Sequence, residues 1–276
     1  MHNRMNNKKV INKSSRRGLR TWIEVDASML EKNFNGIRSQ IGPNTLIWVV
    51  AKSNAYGHGL VDYCLAMEQF GAKGFCVDSI VEGLALRRAG IKTPLLVLGA
   101  TLDQRLEEAM DNNIAITVSH LEALSTAAEV AEAIKFDTKL AVHLKIDSGM
   151  HRQGFCNAKT LADALELLQA NKHNIELAGM YTHFAAAKNP AFPHDTERQL
   201  AEFLQATEVA TRAGFSPRLH AAATSAALLF PQTGLDMVRV GIGLYGLWPS
   251  KETKAALEKQ LPLNPTLSWH TLITEI

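Results

Sequence analysis

The chain has 276 residues, 46% apolar and 20% charged, with a formal net charge of +2. That length can bury a large core, and the near-neutral balance argues against nucleic acid or a membrane surface as partner. No apolar run reaches the roughly 18–20 residues that cross a bilayer. Cys64, Cys76 and Cys156 show neither metal-ligand nor C-x-x-C spacing, which fits buried or idle thiols in a reducing cytoplasm.

Taken in order, residues 1–20 carry Arg4, Lys8, Lys9, Lys13, Arg16, Arg17 and Arg20 with no acid and no apolar segment of a signal peptide. They read as a disordered basic tail. Thr21–Val25 reads as a strand. A helix follows, with Ser28 and Glu31 as a capping box, an apolar face of Leu30, Phe34, Ile37 and Ile41, and Gly42-Pro43 as its stop. Eight strands are then expected: Leu46–Ala51, Gly74–Asp78, Leu95–Leu98, Ile114–Val118, Leu140–Ile146, Leu177–Thr182, Arg218–Ala222 and Met237–Val240. Amphipathic helices separate most of them, at Leu60–Phe70, Leu102–Met110, Leu121–Ile134, Thr160–Ala170 and Thr196–Ala213, with a brief one at Ser225–Phe230. Apolar strands alternating with helices predict a parallel sheet covered on its outer face. Eight of them favour an α/β fold of the (β/α)8 TIM-barrel type over an open doubly wound sheet, and no Gly-x-Gly-x-x-Gly follows the first. The barrel is expected over 21–261. Residues 262–276 read as a Pro262–Pro265 linker and a strand, Leu267–Ile276, that opens a second β-domain and pairs with Thr21–Val25.

Chemistry in such a barrel gathers at the C-terminal strand ends. Those ends offer Lys52, His120, Lys145 to Arg152, His183, Thr224, and Arg239 to Ile242. A lysine after an apolar strand, two arginines, a histidine and a Gly-rich turn (Gly241, Gly243, Gly246) suit an aldehyde cofactor with a phosphate tail.

Four runs then fall in register. They are Val49 to Gly59 (VVAKSNAYGHG), His143 to Arg152 (HLKIDSGMHR), Tyr181 to Ala185 (YTHFA) and Val238 to Gly246 (VRVGIGLYG). Together they resemble the alanine racemase family of fold-type III pyridoxal-phosphate enzymes, whose members join a barrel to a β-rich second domain. The resemblance implies pyridoxal 5'-phosphate as cofactor, carried by Lys52 as a Schiff base, with Lys52 also acting as general base or acid at Cα. It implies that Tyr56, Thr224 (or Ser225, one residue on), Gly241 and Ile242 hold the cofactor phosphate. Arg239 would face the pyridine nitrogen, and His183 would pack near the ring in a network with Arg239 and His220. Arg152 would reach the cofactor's phenolic oxygen and the substrate carboxylate. Lys145 is carbamylated in some members of the family and steadies that arginine. His143, His120 and Asp147 are read as structural.

The implied reaction interconverts L- and D-alanine for peptidoglycan in the cytoplasm, in a homodimer, with serine or broader substrates left open. Racemisation needs a base on each face of Cα. In the family the second is a tyrosine from the partner subunit's second domain, so the sequence reads as an incomplete chain lacking that base. The alternative is a non-catalytic pyridoxal-phosphate-binding or homeostasis module built on the same barrel. An aldolase or dehydratase acting on D-amino acids is a weaker third reading, against which the Val238 to Gly246 run speaks.

Overall fold

The computed structural model describes residues 18–134 and 138–276. The basic tail expected over 1–20 lies outside the described residues except for its last three. Ten strands are found among the described residues: β1 (Thr21–Val25), β2 (Leu46–Val50), β3 (Gly74–Val77), β4 (Leu95–Val97), β5 (Ala115–Val118), β6 (Leu140–Lys145), β7 (Ile175–Tyr181), β8 (Arg218–His220), β9 (Met237–Val240) and β10 (Leu267–Thr271). β2 to β9 form one parallel sheet of order β8-β7-β6-β5-β4-β3-β2-β9. A parallel bridge between Ala223 and Arg239 joins its two edges and closes the barrel. The expected (β/α)8 fold is therefore what the chain adopts.

Alternation along each strand divides the core in two. Outward residues such as Ile47, Val49, Phe75 and Val77 pack under the helices in the larger cluster. Inward residues Trp48, Val50, Cys76, Leu96, Ala115 and Met237 fill the barrel. The interior also holds buried polar groups, His143, Lys145, His220 and Arg239, whose satisfaction shapes the site.

Several expectations change at element ends. Asp26, not Ser28, caps the first helix (Ala27–Gln40), its carboxylate accepting from the backbone N–H of Ser28 and Met29. An ionised oxygen one step outside the helix is the stronger acceptor for free first-turn donors. Leu102–Met110 is a 3-10 turn (Asp103–Arg105) followed by a short helix, Leu106–Asp111. Two helices escaped the sequence reading, Ile80–Arg88 and Lys251–Leu257. The first carries Gly83 at its centre and has no clear apolar stripe; the second is only seven residues long. Cys64 and Cys76 are buried as expected, while Cys156 is exposed.

β1 and β10 pair antiparallel, from Thr21 opposite Thr271 to Val25 opposite Leu267, as anticipated. The Pro262–Pro265 stretch is held firmly to the barrel: buried Asn33 donates to the Asn264 carbonyl at 2.8 Å and accepts from its N–H at 3.1 Å. Gly246 makes this seam possible. Its φ is +82°, and a Cβ there would lie 1.7 Å from the Asn264 oxygen. Among the described residues no helix is long and apolar enough to cross a membrane.

Candidate active site

A cleft of about 780 Å³ opens at the C-terminal ends of the barrel strands, lined by Lys52, Tyr56, Lys145, Arg152, His183, Thr224, Arg239, Gly241 and Ile242. The sequence-predicted site residues are thus brought to one place. His120 stays outside this lining; its ring accepts from the N–H of Ala123 at the next helix start.

Lys52 follows the apolar run of β2 by two residues and is half-buried. Beyond it the chain does something rare. Ser53, Asn54, Ala55 and Tyr56 all adopt left-handed backbone angles, with φ of 55°, 55°, 53° and 51°. A Cβ in this region crowds the following carbonyl, so four such residues are strained. The turn is tied down from several sides. The Ala55 N–H donates to the Ala51 carbonyl at 2.9 Å. The Glu82 carboxylate accepts from the N–H of Asn54 at 3.0 Å and of Asp78 at 2.8 Å. The Asn54 side chain accepts from the N–H of Leu60 at 2.9 Å. Glu82 has no motif around it that would mark it from sequence.

The turn swings Tyr56 back over Tyr245, ring centroids 4.9 Å apart, and burial pushes the Tyr56 phenol pKa up. Tyr245 stacks on Tyr63 and donates its hydroxyl to the Val50 carbonyl at 2.9 Å, fixing that aromatic wall to β2. The Tyr56 hydroxyl also borders Gly241: a Cβ at Gly241 would meet it at 3.4 Å and Val50 Cβ at 3.3 Å. The Gly241 N–H donates to Thr224 Oγ1 at 3.1 Å, and Ser225, one residue on, also lines the cleft. The Ile242 N–H has no acceptor among the described residues. The corner therefore combines two hydroxyls, the Ile242 N–H and a bare Cα, a combination that suits a phosphate group.

Arg239 forms the floor. It is buried, and its two terminal amino groups make four hydrogen bonds: to His220 Nδ1 at 2.6 Å, to the His220 carbonyl at 3.1 Å, to the Thr182 carbonyl at 2.7 Å and to the Ala221 carbonyl at 3.1 Å. Its guanidinium lies 4.9 Å from the centroid of Tyr181, a cation–π contact in a desolvated setting. The Nε–H is the donor left over for the cleft. Tyr181 is itself anchored, because Thr117 donates to the Val97 carbonyl and so accepts from the Tyr181 hydroxyl at 3.0 Å. Burial raises the Tyr181 pKa to about 12.

The histidine network differs from expectation. His220, not His183, bonds Arg239, and His220 Nε2 continues the chain to His143 Nδ1 at 2.8 Å. Backbone direction explains this: the carbonyl of Thr182, just before His183, takes the arginine's other amino group. His183 lines the cleft, and burial plus the charges of Arg239, Arg152, Lys145 and Lys52 push its pKa down to about 3. His143, read as structural, is a member of the buried chain. Tyr181, stacked on His220 at 4.7 Å, opens the Tyr181 to Ala185 run but was given no role of its own in the sequence reading.

Lys145 is buried, 5.8 Å from the Tyr181 centroid, and burial with the charges of Arg152 and Arg239 lowers its pKa to about 8. Asp147 is structural as read. One of its carboxylate oxygens accepts from the N–H groups of Gly149, Met150 and His151 at 2.9–3.0 Å. Burial opposes its ionisation, but those donors hold its pKa below the usual value. They also shape the loop that carries Arg152 to the cleft, where its side chain is exposed.

A family model for the N-terminal domain of alanine racemase matches residues 15–249. Alanine racemase of Listeria monocytogenes (serovar 1/2a) is 37% identical over 258 residues, covering 93% of this chain and 66% of the relative. Alanine racemase 2 of Bacillus subtilis is 34% identical over 90% of this chain and 62% of its own. The solved alanine racemase of Clostridium difficile 630, in complex with cycloserine, superposes with a TM-score of 0.85 at 33% identity, over 91% of this chain and 68% of that one. The chain thus spans about 66% of the length of the first of these relatives. With a matching barrel, matching motifs and a family match across most of its length, this chain belongs to the alanine racemase N-terminal domain family.

Proposed function

We propose that the chain is the cofactor- and substrate-binding barrel of a pyridoxal-phosphate-dependent alanine racemase. The observation that carries this reading is the convergence of Lys52, the Tyr56–Thr224–Gly241 corner and Arg239 in one cleft. Spacing alone could not have ensured it. The donor set fits the cofactor: the corner suits its phosphate, and the spare Arg239 Nε–H suits a ring nitrogen. Bound pyridoxal phosphate supplies an electron sink that loosens the α-hydrogen of an amino acid.

The remaining roles fall to the chain's own groups. Lys52 holds the cofactor and takes or returns the proton at Cα on one face. Arg239 cannot release a proton, so it leaves the pyridine nitrogen unprotonated and tempers the sink. Arg152 binds the substrate carboxylate. Lys145, with its amine partly neutral near pH 8, is suited to carbamylation, which would give Arg152 an anionic partner. His183, held neutral, packs beside the ring. Thr224, Tyr56, Gly241 and Ile242 hold the phosphate.

In this reading, 21–261 is the barrel and 262–276 leads into a second domain. The second base is a tyrosine from the partner subunit of a homodimer, and the D-alanine made in the cytoplasm feeds peptidoglycan. The test loads the full chain with pyridoxal phosphate in heavy water and follows α-hydrogen exchange into L- and D-alanine separately by NMR. The expected result is slow exchange into one enantiomer, D-alanine by family resemblance, lost in Lys52→Ala. No exchange into either, with the visible absorbance of bound cofactor present, would make the barrel a cofactor-binding module instead.

A further inference from the structure

The barrel has a second opening, at the N-terminal ends of its strands, with a cavity of about 250 Å³. Its lining includes the buried Trp48 and His143, only 2% and 3% exposed, with ring centroids 6.2 Å apart. The Trp48 indole N–H is buried without any hydrogen-bond partner, which is costly for a donor that water cannot reach.

The hydrogen-bonded chain fixes the state of His143. Arg239 can only donate, so His220 Nδ1 accepts from it and a neutral His220 carries its hydrogen on Nε2. That hydrogen is donated to His143 Nδ1 at 2.8 Å, which leaves the His143 hydrogen on Nε2. Burial with the charges of Arg218 and Arg239 drives the His143 pKa down to about 3, so the ring is neutral. Its Nε2–H has no acceptor among the described residues. The His143 Nε2–H is thus an unanswered donor in the lining of this cavity, beside the Trp48 ring.

The rim is cationic. Arg87 is locked in place by the carbonyls of Ile91, Thr93, Asn112 and Asn113 at 2.7–2.9 Å. Lys92 and Arg218 are exposed, and none of the three forms an ion pair within 4 Å among the described residues. Glu176 is the only carboxylate in the lining.

We propose that this lower mouth is an anion site, taking a small oxyanion or halide on the His143 Nε2–H, beside the Trp48 ring, with Arg87, Lys92 and Arg218 around it. A donor without an acceptor, inside a ring of positive charge, selects an anion over a neutral or cationic guest. The ligand caps one end of a chain whose other end is Arg239 in the cleft above.

The test uses the full chain with nitrogen-15-labelled tryptophan, titrated with inorganic phosphate at constant ionic strength. The Trp48 indole resonance is assigned by its loss in Trp48→Phe. Trp248 lines the upper cleft and reports phosphate binding there separately. The expected result is a saturable shift of the Trp48 indole, weakened about tenfold in affinity by the double substitution Lys92→Gln and Arg218→Gln, two exposed rim cations. Chloride and acetate titrations then identify whether a halide or a carboxylate serves as well. A Trp48 indole that does not move, or one that drifts without saturating and equally in the double variant, would overturn the assignment.

Discussion

The left-handed turn after Lys52 gives Glu82 a role that a substitution can measure. Each non-glycine residue in that conformation costs roughly 1–2 kcal/mol, so Ser53, Asn54, Ala55 and Tyr56 together store on the order of 4–8 kcal/mol. Glu82 offsets part of this through two charge-assisted bonds, to the N–H of Asn54 and of Asp78. At a half-exposed position each is worth the lower end of the usual range, about 1.5 kcal/mol. Glu82→Ala then loses about 3 kcal/mol of local restraint, and Glu82→Gln, with one carbonyl oxygen left, about half of that. A turn that spends less time closed lowers apparent cofactor affinity in proportion. The expected weakening is up to about tenfold for Gln and up to about 150-fold for Ala, read by spectrophotometric titration with pyridoxal phosphate. Hydrogen exchange at the Asn54 amide gives a readout independent of the cofactor and should speed up in the same order. If Glu82→Ala binds pyridoxal phosphate within about twofold of the parent while its Asn54 amide stays protected, the tether argument fails.

Gly246→Ala should destabilise the fold by about 3 kcal/mol or more, because its Cβ would sit 1.7 Å from the Asn264 oxygen at φ +82°; chemical denaturation measures this. Buried His143 and His183 have pKa values near 3 in the fold against about 6.5 unfolded, so their contribution to stability is present above pH 6.5 and is lost as pH falls toward 3. Unfolding free energies from urea denaturation should drop by up to about 2 kcal/mol per histidine between pH 7 and pH 5, and His143→Gln should flatten the dependence; equal slopes would contradict the neutral assignment. Lys145, with its pKa near 8, should give a carbamate carbon resonance with carbon-13 bicarbonate that grows as pH rises through 8 and disappears in Lys145→Met.

What could be read in the sequence was whatever is written in local pattern. The barrel strands are short, apolar and evenly interrupted, so β2 to β9 emerge from alternation with helices to within a residue or two. The placement of Lys52, Arg152, Thr224 and Arg239 in one cleft follows once those strands close, since all four lie within a strand's C-terminal half or in the loop that follows it. What stayed hidden depends on groups distant in sequence. His143 and His220 are 77 residues apart, and nothing in either neighbourhood signals that one ring answers the other. Glu82 supports a turn 28 residues earlier.

The left-handed turn was hidden for a different reason. Gly57 and Gly59 announce an unusual backbone nearby, yet the strain falls on the four non-glycine residues before them, where propensity points elsewhere. Local preference loses there because Lys52 leaves β2 and Tyr56 returns over Tyr245 within four residues. The residues that break the local rule are thus the ones that aim the two side chains at the cleft, and their support comes from Glu82 and Asn54 instead of from their own conformational preference.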